Sequence, residues 1–213
     1  MNKGVYIGEN FASMPHKILI LGESHHDKNY ALGCDYPRET KETVHNYLRA
    51  KKREIKWENC WNFFTKIAHV FDTALSDDKL IEFWNKVSFG NYIGVNCDVK
   101  SAFASRYIEK EDNRKALNDA LFGFVNEKGI DTVVCMSKLV YNNLPVRTEH
   151  EKENTVNTSE KNNLIFTEYS SNISHQFTSV TLTKNLRIIM LPHPSSYGFK
   201  PEDYNEYLKE LIY

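Results

Sequence analysis

The stretch Lys17–Asp27, KILILGESHHD, decides the fold class. Its first part, Lys17–Leu21, is a run of isoleucine and leucine, which is typical of a strand buried on both faces of a parallel sheet. Gly22 ends this run, and a glycine there permits a sharp turn and lets a ligand approach the backbone. The polar residues that follow would emerge at the carboxyl end of the sheet, where ligands of parallel α/β proteins bind.

Three further segments have a similar apolar pattern, and each is followed by polar residues. They are Val87–Val95 (VSFGNYIGV), Asp131–Met136 (DTVVCM) and Arg187–Leu191 (RIIML). Helical spacing of apolar residues predicts helices between and after these strands, over Lys41–Lys52, Glu58–Leu75, Asp77–Asn85, Asn113–Lys128, Ser137–Asn143 and Pro201–Ile212. Strands that alternate with helices predict an α/β fold, three-layer α/β/α, with a central four-stranded and mainly parallel sheet.

A chain of 213 residues with 41% hydrophobic residues is long and apolar enough for one globular domain, which we place at residues 1–213. The stretch Thr148–Asn163 contains Val156 as its only apolar residue, and it predicts a mobile polar surface insertion. After it, Leu164–Tyr169 and Ser179–Thr183 are expected to pair as a hairpin.

The formal net charge of -1 argues against a protein that wraps duplex DNA, because such proteins replace phosphate counterions with many basic side chains. Any nucleic-acid surface would be local. Arg49–Lys56 (RAKKREIK) is one candidate, although the solvated end of a helix is the simpler explanation.

The cysteines and the apolar runs predict a cytoplasmic protein without membrane contact. Cys34, Cys60, Cys97 and Cys135 lie far apart without a CxxC pair, so we expect reduced thiols. The amino-terminal residues lack an apolar leader, and no stretch approaches the roughly 20 apolar residues that span a bilayer.

Two turns carry the residues suited to chemistry. Glu23 would emerge near the top of the sheet, where partial burial suits a base that activates water. His25, His26 and Asp27 suggest a metal site, but no HxxxH or matching cysteine pair accompanies them, so we expect no metal and no cofactor. Asp27 would instead orient a histidine.

His193 follows the last buried strand and precedes Pro194, which restricts the backbone of the histidine to extended conformations. An imidazole fixed in this way can donate a hydrogen bond to a developing anion, or it can satisfy nearby backbone carbonyls. Asn91 offers an amide donor beside a carbonyl acceptor, which suits the edge of a nucleobase. Its alternative role is that of a residue in the turn that ends the strand.

In order and spacing, these motifs resemble the uracil-DNA glycosylase superfamily. Its members have a strand ending in GQDPYH or GE-x-PG, an asparagine-bearing second strand, a third strand written roughly VVxxG, and a last strand ending in HPS or HPA. The corresponding stretches here are ILILGESHHD, VSFGNYIGV, DTVVCMSKLVYNNLP and IIMLPHPSS. The resemblance covers most of the chain and implies a four-stranded parallel sheet flanked by helices. It also implies a protein that flips a base out of DNA and cuts its N-glycosidic bond.

The resemblance implies a role for each matching residue. Glu23 would activate water, and His193 would stabilise the departing base. The base-binding residues would be Gly22, Ser24, His25, Tyr36 and Asn91. Of these, Tyr36 would stack on the base and Asn91 would bind its edge. Contacts with the DNA backbone and the base stack would come from Pro194, Ser195, Ser196 and either Tyr197 or Phe199 as a wedge.

The chain also departs from the family pattern. Ser24 stands where GQDPYH has aspartate, His25 and His26 replace the proline and glycine of GE-x-PG, and Ser137 stands at a position where the family has glycine. The cysteine spacing does not fit an iron–sulfur cluster. Three interpretations therefore remain: a monomeric glycosylase for uracil or another altered base in single-stranded or locally opened DNA, an inactive binder of a base, nucleotide or modified nucleic acid, and an interaction protein with a vestigial pocket.

Overall fold

A computed structural model describes residues 4–25, 31–34, 39–97, 102–145, 152–157 and 163–212. These residues form an α/β fold built on one seven-stranded sheet. In chain order its strands are β1 (Tyr6–Ile7), β2 (Ile18–Gly22), β3 (Ser88–Asn91), β4 (Thr132–Cys135), β5 (Lys152–Asn157), β6 (Asn163–Tyr169) and β7 (Leu186–Met190). Across the sheet the order is β1-β3-β2-β4-β7-β6-β5.

The centre of the sheet is parallel and its two sides are antiparallel. Strands β3, β2, β4 and β7 pair in parallel, with Leu21 opposite Gly90 on one side and Cys135 on the other. Strand β1 pairs with β3 in the antiparallel sense, as do β6 with β7 and β5 with β6. The predicted four-stranded sheet is therefore the parallel centre of a larger mixed sheet, and the predicted strand count was wrong.

Helices cover both faces of this sheet and form the outer layers. They are α1 (Glu39–Lys51), α2 (Asn62–Phe71), α3 (Asp77–Lys86), α4 (Phe103–Glu109), α5 (Glu111–Lys128), α6 (Lys138–Asn142) and α7 (Glu202–Leu208). The side chains of β2 alternate between the two faces: Ile18 and Ile20 join the core with α1, α2, α3 and α7, whereas Leu19 and Leu21 join the core with α4, α5 and α6. Within the described ranges, none of the helices combines the length and the apolarity needed to cross a bilayer.

An aromatic cluster fixes α2 beside the carboxyl end of β3. Trp84 of α3 is fully buried, and its ring centroid lies 5.5 Å from that of Phe64 in α2. Phe64 in turn lies 5.4 Å from Phe89 in β3. Edge-to-face packing of this kind stabilises the contact beyond the area that it buries. It holds the amino-terminal half of α2 next to the residues that follow the parallel strands.

In the second half of the chain the polar stretch contains a strand, and the predicted hairpin pairing was wrong. The polar stretch predicted as an insertion contributes β5 and the first residue of β6, because a strand at the edge of a sheet needs backbone pairing on one side only and tolerates polar side chains. Leu164–Tyr169 pairs with β5 and β7, not with Ser179–Thr183. Ser179–Thr183 is an irregular loop that hydrogen-bonds to Asp119 and Asn126 of α5.

Candidate functional site

A cleft of about 470 Å³ opens at the carboxyl ends of the parallel strands. Strand β2 has β3 on one side and β4 on the other, so the chain changes its winding direction there, which is where ligands bind in open α/β sheets. The turn after β2, the end of β3, the loop after β7 and helices α1 and α2 form its walls. Its lining residues are Glu23, Ser24, His25, Thr40, Thr43, Asn46, Glu58, Cys60, Trp61, Phe63, Phe64, Phe89, Asn91 and His193.

The two turns selected from the sequence meet in this cleft. Glu23, Ser24 and His25 line it from one turn, and His193 lines it from the other, with Asn91 beside them. They meet because β2 and β7 are both parallel to β4, which lies between them, so their carboxyl ends share one edge of the sheet. The side chains predicted to act together thus face one cavity.

A serine anchors the carboxylate of Glu23. The hydroxyl of Ser137 donates a hydrogen bond to Oε2 of Glu23 at 2.7 Å. Ser137 is also the N-cap of α6, where its oxygen accepts a hydrogen bond from the backbone N–H of Val140 at 3.3 Å. Because the hydroxyl oxygen already accepts from the helix, its hydrogen is directed to the carboxylate. Ser137 is 3% exposed, so this contact is shielded from water on the serine side.

His25 and Asn91 contact each other on the cleft wall. Nδ2 of Asn91 lies 3.4 Å from both ring nitrogens of His25. Nε2 of His25 lies 2.7 Å from the hydroxyl of Thr40, a buried residue of α1. Oδ1 of Asn91 packs against Gly22, where a Cβ atom would lie 2.4 Å from it. Gly22 is therefore needed for close approach of the Asn91 side chain, not for an unusual backbone conformation.

The ring of His193 has a defined orientation. The backbone N–H of Ser195 donates a hydrogen bond to Nδ1 of His193 at 3.2 Å. The neutral imidazole then carries its proton on Nε2, which becomes the hydrogen-bond donor of the ring. Phe63 lies against the ring, with 5.3 Å between centroids and planes 34° apart. The histidine is thus prepared to donate to an acceptor.

The residues after His193 form a loop that α2 holds in place. Pro194 is buried, and its carbonyl oxygen accepts a hydrogen bond from Nζ of Lys66 at 3.1 Å. Ser195 and Ser196 are exposed beside it. Lys66 was not predicted as a site residue, because one lysine on an amphipathic helix carries no signal in the sequence.

The two aromatic residues predicted as alternative wedges differ in their surroundings. Tyr197 is fully exposed. Phe199 is partly buried and stacks on Tyr204 of α7, with 5.8 Å between the ring centroids. Only Tyr197 projects from the surface as a wedge would. Tyr36, His26 and Asp27 lie outside the described residues, so the roles predicted for them stay predictions.

Three of the four cysteines are held as thiols. Burial raises the pKa of Cys135 to about 12, and the carboxylate of Glu23 adds to this shift. Burial likewise raises the pKa of Cys97, and burial together with the carboxylate of Glu58 raises that of Cys60. A thiolate is the nucleophilic and metal-binding form of cysteine, so these shifts disfavour both roles. Among the described residues, no three His, Cys, Asp or Glu side chains are arranged to hold a metal ion.

The aromatic wall of the cleft was only partly foreseen. The sequence placed Trp61 and Phe64 in a helical core stripe, and the structure shows that the end of this stripe opens onto the cleft together with Phe63 and Phe89. Periodicity identifies the apolar face of a helix but not the part of that face left uncovered. A carboxylate, two imidazoles, a carboxamide and flat aromatic rings together suit a planar heterocycle. No protein-family model matches the chain, and no curated protein matches it either.

Proposed function

We propose that this protein is a DNA glycosylase-like protein that binds a flipped-out nucleobase, uracil or another altered base, and hydrolyses its N-glycosidic bond. One observation carries the proposal: Glu23 and the donor-oriented ring of His193 line the same cleft at the carboxyl edge of the sheet. The motif resemblance supports it, because that family has a four-stranded parallel sheet and the parallel centre of this sheet has four strands.

The chemistry needs two groups of opposite character. When the bond between the sugar C1′ and the base nitrogen breaks, its electron pair leaves with the base, and the sugar becomes an oxocarbenium ion. The Nε2–H of His193 would stabilise the negative charge that develops on the base. The carboxylate of Glu23 would accept a proton from the water that adds to C1′, and Ser137 would keep that carboxylate in place.

The residues around the cleft suit single-stranded or locally opened DNA, in which the base is already unpaired. Phe63 lines the cleft and is partly exposed, so its ring offers a flat surface to a base, while Ser195 and Ser196 are exposed where phosphates would pass. Tyr197 would fill the gap left in the base stack. With a net charge of -1 the chain lacks the basic excess that grips a duplex, so single-stranded or locally opened DNA is the favoured partner.

A second candidate is a binder that uses the same cleft without cleavage. It is favoured by Ser24, which offers a hydroxyl where one class of the family has a carboxylate. Its ligand would be a base, a nucleotide or a modified nucleic acid.

The test is a glycosylase assay on single-stranded oligonucleotides containing uracil, hypoxanthine or alkylated bases, scored by strand breakage at abasic sites. We expect excision of at least one base, and we expect His193→Ala to lower the rate about 100-fold or more and Glu23→Gln to lower it by about 100-fold or more. Matched controls are His16→Ala and Glu206→Gln, which change exposed side chains that do not line the cleft.

The two candidate functions give different results. Base binding without any abasic product supports the binder. If neither binding nor excision occurs on any substrate, both candidates fail. Equal loss of activity in the control variants would show that the effect is not specific to the cleft.

A further inference from the structure

We propose that His25 determines which bases the cleft accepts, because its imidazole occupies the position at which a base edge would meet Asn91. In the wild-type protein this excludes uracil from that position. The inference rests on the proposed function and narrows its substrate to an altered base other than uracil.

The first argument is the space beside the amide nitrogen of Asn91. A hydrogen bond to a base carbonyl would need its oxygen about 2.9 Å from Nδ2. Both ring nitrogens of His25 already lie 3.4 Å from that atom. No base atom fits between groups at this separation, so a base edge cannot reach Nδ2 from the side of His25 unless the ring moves.

The second argument concerns the other end of the carboxamide. Oδ1 of Asn91 lies so close to Gly22 that a Cβ atom there would be 2.4 Å from it. One end of the amide therefore faces the imidazole and the other faces the backbone of β2. This conclusion holds even if the oxygen and nitrogen of the amide are exchanged, because each end has a close neighbour in either orientation.

The third argument is that His25 is held in this position. Its Nε2 lies 2.7 Å from the hydroxyl of Thr40, which is 5% exposed and fixed in α1. Its backbone carbonyl accepts a hydrogen bond from the N–H of Cys97 at 2.8 Å, and its backbone forms a bridge with Asn96. Contacts on both the ring and the backbone oppose displacement of the imidazole.

The consequence for substrate choice follows from the chemistry of the uracil edge. Uracil presents a carbonyl acceptor beside an imide N–H donor, and a carboxamide with its own donor and acceptor is the natural complement. Because each end of the Asn91 carboxamide already has a neighbour, His25 at Nδ2 and Gly22 at Oδ1, the cleft does not offer that complement in the wild-type protein. The base that it accepts must be held by the aromatic wall and by His193, and its edge would meet the imidazole of His25.

The experiment compares the wild-type protein with His25→Ala and uses uracil and a uracil-containing single-stranded oligonucleotide as probes. The readouts are the dissociation constant and the side-chain amide resonance of Asn91 in nitrogen-15 NMR spectra. We expect the variant to bind uracil about tenfold more tightly or better, with a shifted Asn91 amide resonance on binding, since a bidentate base contact provides this much discrimination. His45→Ala is the matched control, because it removes an exposed histidine of α1 that does not line the cleft.

A second variant guards against misfolding of His25→Ala. Thr40→Val releases the ring without removing it, and it should give a smaller gain in uracil binding. The inference is overturned if wild-type protein already binds uracil through Asn91, or if neither variant gains uracil affinity. If the wild-type protein excises another base while neither variant binds uracil more tightly than the wild type, the inference fails and the proposed function stands. If no form of the protein binds or excises any base, both fail.

Discussion

Replacing Ser137 should reveal how strongly the protein holds the carboxylate of Glu23. The contact is 2.7 Å long and has a charged acceptor, and hydrogen bonds to charged groups contribute about 1.5–3 kcal/mol. Glu23 is partly exposed, so water replaces some of the lost interaction, and the lower end of about 1.5 kcal/mol applies. Ser137→Ala also removes the N-cap of α6, which adds about 1 kcal/mol.

Glycine at this position separates the two effects. An N-cap glycine costs only a few tenths of a kcal/mol relative to serine, so Ser137→Gly should lose little more than the contact with Glu23, about 1.5–2 kcal/mol. The expected order of stability is wild type, then Ser137→Gly, then Ser137→Ala.

A double-mutant cycle isolates the pair. The single variants Ser137→Gly and Glu23→Ala and the double variant are unfolded in urea and followed by circular dichroism, and stabilities are taken from midpoints at a common slope. We expect a coupling free energy of about 1.5 kcal/mol. A coupling below about 0.5 kcal/mol would refute the reasoning, because distant and independent sites already show deviations of that size.

Three further predictions concern the rest of the molecule. Gly22→Ala should destabilise the protein by about 1–3 kcal/mol in urea denaturation, because its Cβ would lie 2.4 Å from Oδ1 of Asn91 and the side chain would have to move; an unchanged midpoint would contradict this close approach. Partial burial raises the pKa of Asp119, but hydrogen bonds from Lys115, Thr178 and Ser179 outweigh it and hold the pKa well below its ordinary value. The contribution of Asp119 to the free energy of unfolding is therefore complete above its unfolded pKa of about 3.9 and is lost as the pH falls towards the folded pKa. Asp119→Asn should lower the free energy of unfolding by about 1.5 kcal/mol at neutral pH, and urea titrations should show a smaller loss below about pH 4. A loss that does not depend on pH would contradict this prediction. Trp84→Ala should cost about 3–5 kcal/mol in the same assay, since Trp84 is fully buried among aromatic rings; a cost under 1 kcal/mol would show that the cluster repacks without loss.

The parts of the fold that follow from burial could be predicted from the sequence. Strands β2, β4 and β7 are apolar because both of their faces are covered, and such runs are visible without any structure. The meeting of Glu23 with His193 follows from the same logic, since residues after parallel strands share one edge of the sheet.

The missed elements carry little local signal. Strand β1 has only two residues, and β5 (KENTVN) is a polar strand at the rim whose pairing depends on its neighbour and not on its own pattern. Ser137 departs from the motif pattern that the chain otherwise resembles, but its hydrogen bond to Glu23 joins positions that are distant in the chain. Such contacts depend on tertiary packing, which one sequence does not display.

The position of β6 and β5 has a consequence for self-association. Without them β7, with four buried residues among its five, would be the outermost strand and would offer unpaired backbone groups to another chain. Because β6 pairs with β7 and β5 pairs with β6, the strand at this edge of the sheet is the hydrophilic β5. A hydrophilic edge strand is a poor template for intermolecular strand pairing. A chain lacking β5 and β6 would keep every residue of the cleft, and we expect it to aggregate more readily than the whole chain.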